Sequence, residues 1–288
     1  MTRGAFGLPV SRPRAVDPRV DSLVEHNGGM NEICDDLSDE HASLDALVAH
    51  LDEEHWERAT AAPGWTIRDQ VCHVWFFDQR ALLALDDPEA FAADARRLAT
   101  AGGTDASVLP GREITGREML DRWRVDRGAL LDRARHVDAS TRVPWYGPAM
   151  GARSFVTARL METWAHGYDV ADALGVERVA TDRLRHVAHI GVRARPFSYA
   201  ANHLPLPEND VHVALTSPTG ETATWGAPGS ADSVHGPMLD FCLVVTQRRH
   251  RNDMALDIRG EAAGEWMAIA QAFAGPPGPG RRPGQFSA

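Results

Sequence analysis

The chain lacks lysine altogether, because all 30 of its basic residues are arginine. We attribute this bias to the codon usage of a GC-rich genome rather than to chemistry. Basic residues are also in the minority, since 40 aspartates and glutamates give a formal net charge of −10. Nucleic-acid binding rests on a basic surface, so this balance argues against a nucleic-acid partner.

Cysteine is scarce as well. Cys34, Cys72 and Cys242 are odd in number and far apart, which argues against a disulfide framework and a paired-cysteine metal site. No apolar run approaches the length of a membrane span, and residues 1–30 lack the apolar segment of a secretory signal. We therefore expect a soluble cytoplasmic protein with no membrane partner.

Apolar residues recur with helical spacing over four long segments. Thr66 and Thr115 are suitable N-caps for two of these segments, because an acidic residue follows each threonine three positions later. Gly175 is a suitable C-cap for the last segment. The pattern predicts a four-helix bundle, in which sites are built from side chains on facing helices. The long helices are predicted at residues 31–51, 67–85, 116–134 and 152–174.

The connections are less regular. Short helices are predicted at residues 53–56 and 88–99, and glycine and proline pairs predict a loop over residues 101–112. A fifth helical stretch is predicted over residues 181–203. It carries His186 and His189, which could form a second metal site or, as we prefer, pack or face solvent.

From residue 210 the apolar spacing changes from helical to alternating. Residues 211–216 and 221–225 flank a turn and predict a β-hairpin, followed by further short strands and helices. The predicted fold is therefore α+β, with a helical bundle over residues 31–205 followed by a small α+β domain over residues 210–274. We expect the active cleft between these domains. Residues 1–30 and 275–288 are expected to be disordered extensions.

One helical stripe carries candidate chemistry. Glu162 and His166 are four residues apart and Asp169 follows three residues later, so all three lie on one face of a helix. A carboxylate and an imidazole in this arrangement can hold a divalent metal, and His73 on another predicted helix is the candidate third ligand. The alternative is a polar pair on an exposed helix. Apolar neighbours around both motifs favour buried groups, which need partners.

Cys72 precedes the candidate ligand His73 and could be a nucleophile. Adjacent residues on a helix point about 100° apart, however, so a packed thiol is the better interpretation. We therefore expect that any acting nucleophile comes from outside the protein.

The pattern Trp65-Thr66-x-x-Asp69-x-x-x-His73, followed by Glu162-x-x-x-His166-x-x-Asp169, resembles the mycothiol-dependent maleylpyruvate isomerase family. The resemblance extends over about residues 32–273. It implies a DinB-like metal-binding four-helix bundle with a C-terminal α+β domain similar to sterol-carrier-type folds.

The same resemblance implies the chemistry. His73, Glu162 and His166 would bind a divalent metal, usually zinc, and mycothiol, the low-molecular-weight thiol of actinobacteria, would be the cosubstrate. Asp169 would orient a ligand histidine or position the thiol. An arginine of the C-terminal domain, either Arg248 or Arg249, would hold a substrate carboxylate, although a solvated helix end explains both arginines equally well.

The expected activity is thiol addition to an electrophilic small molecule, in a cis–trans isomerase or a thiol S-transferase, by a monomer or homodimer. One alternative is a metal-dependent hydrolase that activates water. Another is a non-catalytic bundle that binds a small hydrophobic ligand. The aromatic residues that could line such a ligand pocket, or belong to the core, are Trp75, Phe76, Phe77, Trp145, Tyr146 and Trp164.

Overall fold

The computed structural model describes residues 29–100 and 103–286. In chain order the α-helices are α1 (Met30–Val48), α2 (Glu53–Trp56), α3 (Ile67–Asp86), α4 (Pro88–Thr100), α5 (Leu109–Arg112), α6 (Gly116–Arg135), α7 (Ala152–Leu174), α8 (Leu184–Arg193), α9 (Arg195–Ala201), α10 (Met238–Val245) and α11 (Glu261–Ile269). The strands are β1 (Arg142–Val143), β2 (Met150–Gly151), β3 (Val211–Thr216), β4 (Thr222–Trp225), β5 (Asp232–Pro237) and β6 (Asp257–Arg259). Short 3₁₀-helices cover Gly103–Ser107 and Arg251–Asp253.

The four long helices form the bundle. Helix α1 packs against α6 and α7, and α3 packs against the same two helices from the other side. Thr66 and Asp69 form a reciprocal capping box at the start of α3, and Gly175 ends α7 with a left-handed φ of 68°. Within the described ranges, no helix has the length and apolar character needed to cross a membrane.

The C-terminal part contains a four-stranded sheet in the order β4-β3-β5-β6. Strands β3 and β4 form the predicted antiparallel hairpin, whereas β5 runs parallel to β3 on its other side. Helices α10 and α11 contact this sheet. The predicted α+β fold with a helical N-terminal part is confirmed.

A single apolar cluster joins the two parts, with members from α1 in the bundle through to α11. Helix α10 lies against α8, where a Cβ atom at Gly191 would come within 2.6 Å of Val245 Cγ2. Glycine is therefore needed for this close approach. Helix α9, the last helix before the main sheet, ends at Ala201 and the sheet begins at Val211, but the apolar core is continuous across that boundary.

Three local expectations differ from the structure. The stretch over residues 181–203 divides into α8 and α9, because Pro196 lacks the N–H that a continuous helix needs and stands in the first turn of α9. The predicted loop contains a 3₁₀-helix and α5. Residues 275–286, expected to be disordered, make defined contacts with the bundle and the C-terminal part.

The N-terminal extension lies outside the described residues apart from Gly29 and Met30, and Met30 is the first residue of α1.

Two glycines of α6 provide a matched test of how closely this helix packs against Trp56. Gly116 faces the ring of the buried Trp56, with no room for a Cβ atom, whereas nothing lies within 4 Å of a Cβ atom at Gly128. We expect Gly116→Ala to lower the free energy of unfolding by about 1–3 kcal/mol through steric strain. Gly128→Ala should raise it by about 0.5–1 kcal/mol through helix propensity. Urea unfolding of both variants measures this, and equal effects would contradict the packing.

Candidate metal centre

The structure brings the three predicted ligands together. His73 on α3 faces Glu162 and His166 on α7, and one potential ligand atom from each lies within 4.8 Å of the other two. Nε2 of His166 is 3.4 Å from Oε2 of Glu162, and the two imidazole centroids are 4.5 Å apart. Both histidines are buried, and the Glu162 side chain is 22% exposed. The carboxylate is thus the most accessible of the three groups.

The hydrogen bonds of Ser107 determine which nitrogen of His73 is free. Ser107 Oγ donates its one hydrogen to the carbonyl oxygen of Thr104. It must therefore accept from His73 Nδ1, which lies 2.8 Å away. The proton of His73 is on Nδ1, so the lone pair of Nε2 is available to a metal.

The side-chain amide of Gln70 determines which ring nitrogen of His166 is free. Its amide nitrogen donates to Thr60 Oγ1 at 2.9 Å, and its amide oxygen lies 2.6 Å from Nδ1 of His166. An amide oxygen only accepts, so His166 is protonated on Nδ1 and presents the lone pair of Nε2. Thr60 in turn donates to the carbonyl oxygen of Trp65. A chain of hydrogen bonds therefore connects the loop before α3 to a ligand on α7.

The local charges suit metal ligands. Burial, the nearby His166 and the guanidinium groups of Arg159 and Arg248 lower the pKa of His73 well below its ordinary value, so its imidazole is neutral. Burial tends to raise the pKa of Glu162, but the adjacent His166 and the guanidinium groups of Arg159 and Arg248 outweigh burial and lower that pKa. Two imidazoles and one carboxylate are the ligand types of catalytic zinc sites.

Aromatic rings enclose the histidines. The ring of Trp65 stacks 6.1 Å from that of His166 and lies 5.1 Å from that of His73. Phe77, one turn along α3, lies 4.7 Å from His73, and Tyr146 lies 5.4 Å from Phe77. These rings exclude water from the imidazoles, which strengthens the electrostatic interactions there.

The other aromatic residues considered as pocket lining have different positions. Trp75 belongs to the apolar cluster between α1, α3 and α6, and its Nε1 donates to Asp126. Trp164 packs on Tyr168 within the core, and the ring of Phe76 is covered by Arg80. Trp145 contacts Phe77. Only part of the predicted aromatic set is therefore near the histidines.

Asp169 does not hold a ligand histidine, because Ser107 and Gln70 have that role. Its Oδ2 accepts from Arg248 at 2.9 Å, and its Oδ1 accepts from Arg281 at 2.6 Å. With 2% of its side chain exposed, this carboxylate joins α7 to two arginines from the C-terminal part.

Arg248 and Arg249 diverge although they are adjacent. Arg248 also donates to the carbonyl oxygen of Ala165, next to the ligand His166. Arg249 makes a bidentate pair with Asp172, with both distances 2.7 Å, one turn farther along α7. Neither arginine is a solvated helix end, since both side chains are largely buried in ion pairs. Arg248 is the arginine on the side of the metal ligands.

Cys72 is a packed thiol. Its sulfur donates to the carbonyl oxygen of Ser107 and accepts from the backbone N–H of Gly111. Burial raises its pKa to about 12. This environment agrees with the expected packed thiol and not with the alternative of a nucleophile, because the reactive species is the thiolate.

The second histidine pair has other partners. His186 pairs with Asp36 at 2.7 Å, and His189 accepts a hydrogen bond from Trp225. In the part of the chain that the structure describes, one group of three or more histidine, cysteine, aspartate or glutamate side chains has the spacing of metal ligands. It consists of His73, Glu162 and His166.

Three residues of the site were missed in the sequence. Gln70 precedes His73 by three residues on the same helical face, so spacing and its buried position in an apolar segment were a usable signal. Ser107 and Arg281 stand in segments predicted as a loop and a disordered tail. No periodicity could have identified these two.

The sequence comparisons agree with this geometry. Residues 37–171 match the family model described as the mycothiol maleylpyruvate isomerase N-terminal domain. Two uncharacterised proteins, from the CDC 1551 / Oshkosh and H37Rv strains of Mycobacterium tuberculosis, are each 46% identical over 248 residues. Each alignment covers 85% of this chain and 96% of the relative.

Two crystal structures share the fold. One is of the mycothiol-dependent maleylpyruvate isomerase, with a TM-score of 0.56 and 13% identity, and the other is of a histidine-to-alanine mutant of it, with a TM-score of 0.55 and 14% identity. Each comparison covers 81% of this chain and 94% of the crystal structure's chain. At this identity the likeness supports a shared fold.

The thiol environments lead to a direct test. Burial raises the pKa of Cys34, Cys72 and Cys242, so none is expected as thiolate at pH 8. We expect a chromogenic disulfide reagent at pH 8 to modify no thiol in the folded protein and all three after denaturation. A fast-reacting native cysteine, located by peptide mapping, would contradict this assignment.

Proposed function

This chain belongs to the mycothiol maleylpyruvate isomerase family, and we propose that it is a metal-dependent enzyme that uses mycothiol to attack an electrophilic small molecule. The observation that carries the proposal is the convergence of His73, Glu162 and His166 from two facing helices. Both imidazoles present an unprotonated Nε2, since Ser107 and Gln70 hold their Nδ1 protons.

A divalent metal, which we propose to be zinc, would supply the positive charge that lowers the pKa of a bound thiol. The protein's own residues prepare the site for this. Ser107 and Gln70 hold the ligand rings in one orientation, and Trp65 and Phe77 exclude water from them. The nucleophilic sulfur is external, because Cys72 is buried and protonated.

The substrate is proposed to be a small electrophile with a polarised C=C bond. The thiol gives up its proton and its sulfur adds to one carbon of this bond, so the π electrons move onto the polarising group and the remaining C–C single bond can rotate. If that electron pair returns and expels the sulfur, the double bond forms again and the reaction is a cis–trans isomerisation. If the other carbon instead takes up the proton, the adduct is released and the reaction is a thiol transfer. Arg248, bonded to Ala165 and Asp169 beside His166, provides positive charge for an anionic substrate.

The first test compares a ligand with the neighbouring thiol. We expect His166→Ala to abolish metal binding and mycothiol-dependent turnover, because it removes one of three ligands. Cys72→Ser should keep most activity, since a hydroxyl can replace both hydrogen bonds of the thiol. Elemental analysis and turnover of an electrophilic substrate with added mycothiol measure these outcomes.

The alternative nucleophile and the two alternative functions predict different results in the same assay. A Cys72→Ser protein as inactive as His166→Ala would mean that the nucleophile is a protein side chain. Hydrolysis without added thiol would favour a metal-dependent hydrolase. Ligand binding by a protein with no bound metal would favour a non-catalytic bundle.

A second test concerns the orientation of the ligands. Gln70→Ala removes the acceptor for Nδ1 of His166, and we expect zinc affinity to fall by about 10–100-fold. Gln79→Ala is the matched control, because Gln79 is on the same helix and bonds to Asp126. Calorimetric titration of zinc into the metal-free proteins measures both affinities. Equal affinities in the two variants would show that Gln70 does not hold the ligand.

A further inference from the structure

The C-terminal segment, residues 275–286, has no helix or strand but follows a defined path. The backbone N–H of Gly284 donates to the carboxylate of Asp253, at 2.9 Å to each oxygen. The guanidinium group of Arg249 lies 4.0 Å from the centre of the Phe286 ring. Both contacts follow Arg281 in the chain and attach the end of the segment to the C-terminal part. Arg281 itself reaches the bundle at Asp169.

Arg281 joins two segments of the bundle that are distant in the sequence. Its Nη1 donates to the carbonyl oxygen of Ala61 at 3.1 Å, and its Nη2 donates to Asp169 at 2.6 Å. The side chain is 12% exposed. Ala61 is in the loop before α3, and Asp169 is on α7. One guanidinium group therefore bridges that loop and that helix.

Both partners of Arg281 are next to groups that hold His166. The loop of Ala61 also contains Thr60, which binds Gln70, and Trp65, which stacks on the His166 ring. Asp169 is three residues after His166 on α7. The bridge thus joins α7, which carries His166, to the loop whose Thr60 holds the Gln70 side chain for its hydrogen bond to His166.

We propose that Arg281 is a positioning residue of the metal centre, and that the C-terminal segment completes the site by holding the Thr60–Trp65 loop against α7. This inference rests on the proposed function, since it assumes that His166 is a metal ligand. Arg281 acts through the loop that carries Thr60 and Trp65, since its hydrogen bonds among the described residues go to Ala61 and Asp169 and not to the three candidate ligands.

The charges explain why this role can be separated from folding. Asp169 has two arginine partners, so loss of Arg281 leaves its buried carboxylate paired with Arg248. In addition, Nε of Arg281 is buried without a hydrogen-bond partner among the described residues. An unsatisfied buried donor lowers stability, so stability alone does not account for an arginine at this position.

The experiment compares Arg281→Ala with Arg282→Ala in the full chain. Arg282 is the adjacent arginine, and its side chain is exposed. Zinc affinity is measured by calorimetry on metal-free protein, and ligand geometry by the visible absorption spectrum after cobalt(II) substitution. We expect Arg281→Ala to bind zinc about tenfold more weakly and to have an altered cobalt spectrum. Arg282→Ala should match the parent in both measurements.

Added guanidinium chloride at millimolar concentration distinguishes loss of the positioning contact from a nonspecific loss of structure in Arg281→Ala. It should partly restore the zinc affinity and the cobalt spectrum of Arg281→Ala, because the ion can occupy the vacated position between Ala61 and Asp169. Circular dichroism checks that each variant is folded. If Arg281→Ala does not fold, Arg281→Lys carries the same comparison, because it keeps the charge but loses the planar fork that reaches both partners.

The outcomes separate this inference from the proposed function. A parent protein that binds neither zinc nor cobalt overturns the proposed function and this inference with it. If the parent binds metal and Arg281→Ala matches Arg282→Ala in affinity and spectrum, the proposed function stands and the role of Arg281 is wrong. Weakened binding that guanidinium does not restore also contradicts the positioning role.

Discussion

The hydrogen bonds that hold the Nδ1 protons of His73 and His166 are the constraint on which the rest of the site depends. A buried imidazole must satisfy its N–H group, and the acceptor chosen determines which nitrogen remains free. Ser107 and Gln70 are acceptors because their own hydrogens are donated to Thr104 and Thr60. The surrounding loops are thus part of the proposed metal centre, although they contribute none of the three candidate ligands.

The C-terminal part also contributes side chains that contact the helix carrying two of the candidate ligands. Its helix α10 ends just before Arg248, and the following segments lead to Arg281, so two guanidinium groups meet one buried carboxylate on α7. The continuous apolar cluster from α1 to α11 packs the two parts together at this junction, and closely packed side chains resist displacement. A fold alone does not specify a reaction, and it is this set of side chains that supports a thiol-dependent enzyme.

Much of this arrangement could be predicted from residue spacing. Helical periodicity located the long helices, the acidic residue three positions after Thr66 indicated the capping box, and alternating apolar residues located the start of the hairpin. Each of these signals depends on neighbours in the chain. The stripe of Glu162, His166 and Asp169 followed from the helical repeat in the same way. Helical spacing also places Gln70 beside His73, three residues earlier on the same face of α3, but a neutral amide by itself does not indicate a site.

The partners across the fold could not be predicted by spacing. The two oxygens of Asp169 are satisfied by Arg248 and Arg281, which are 79 and 112 residues away in the chain. Ser107 lies 34 residues from the imidazole it orients, in a segment without periodicity. Local sequence therefore defines which face of each helix carries the ligands. The packing of the helices decides which histidine nitrogen is free, and the path of the C-terminal segment decides which arginine reaches Asp169, because both depend on contacts between residues that are distant in the chain.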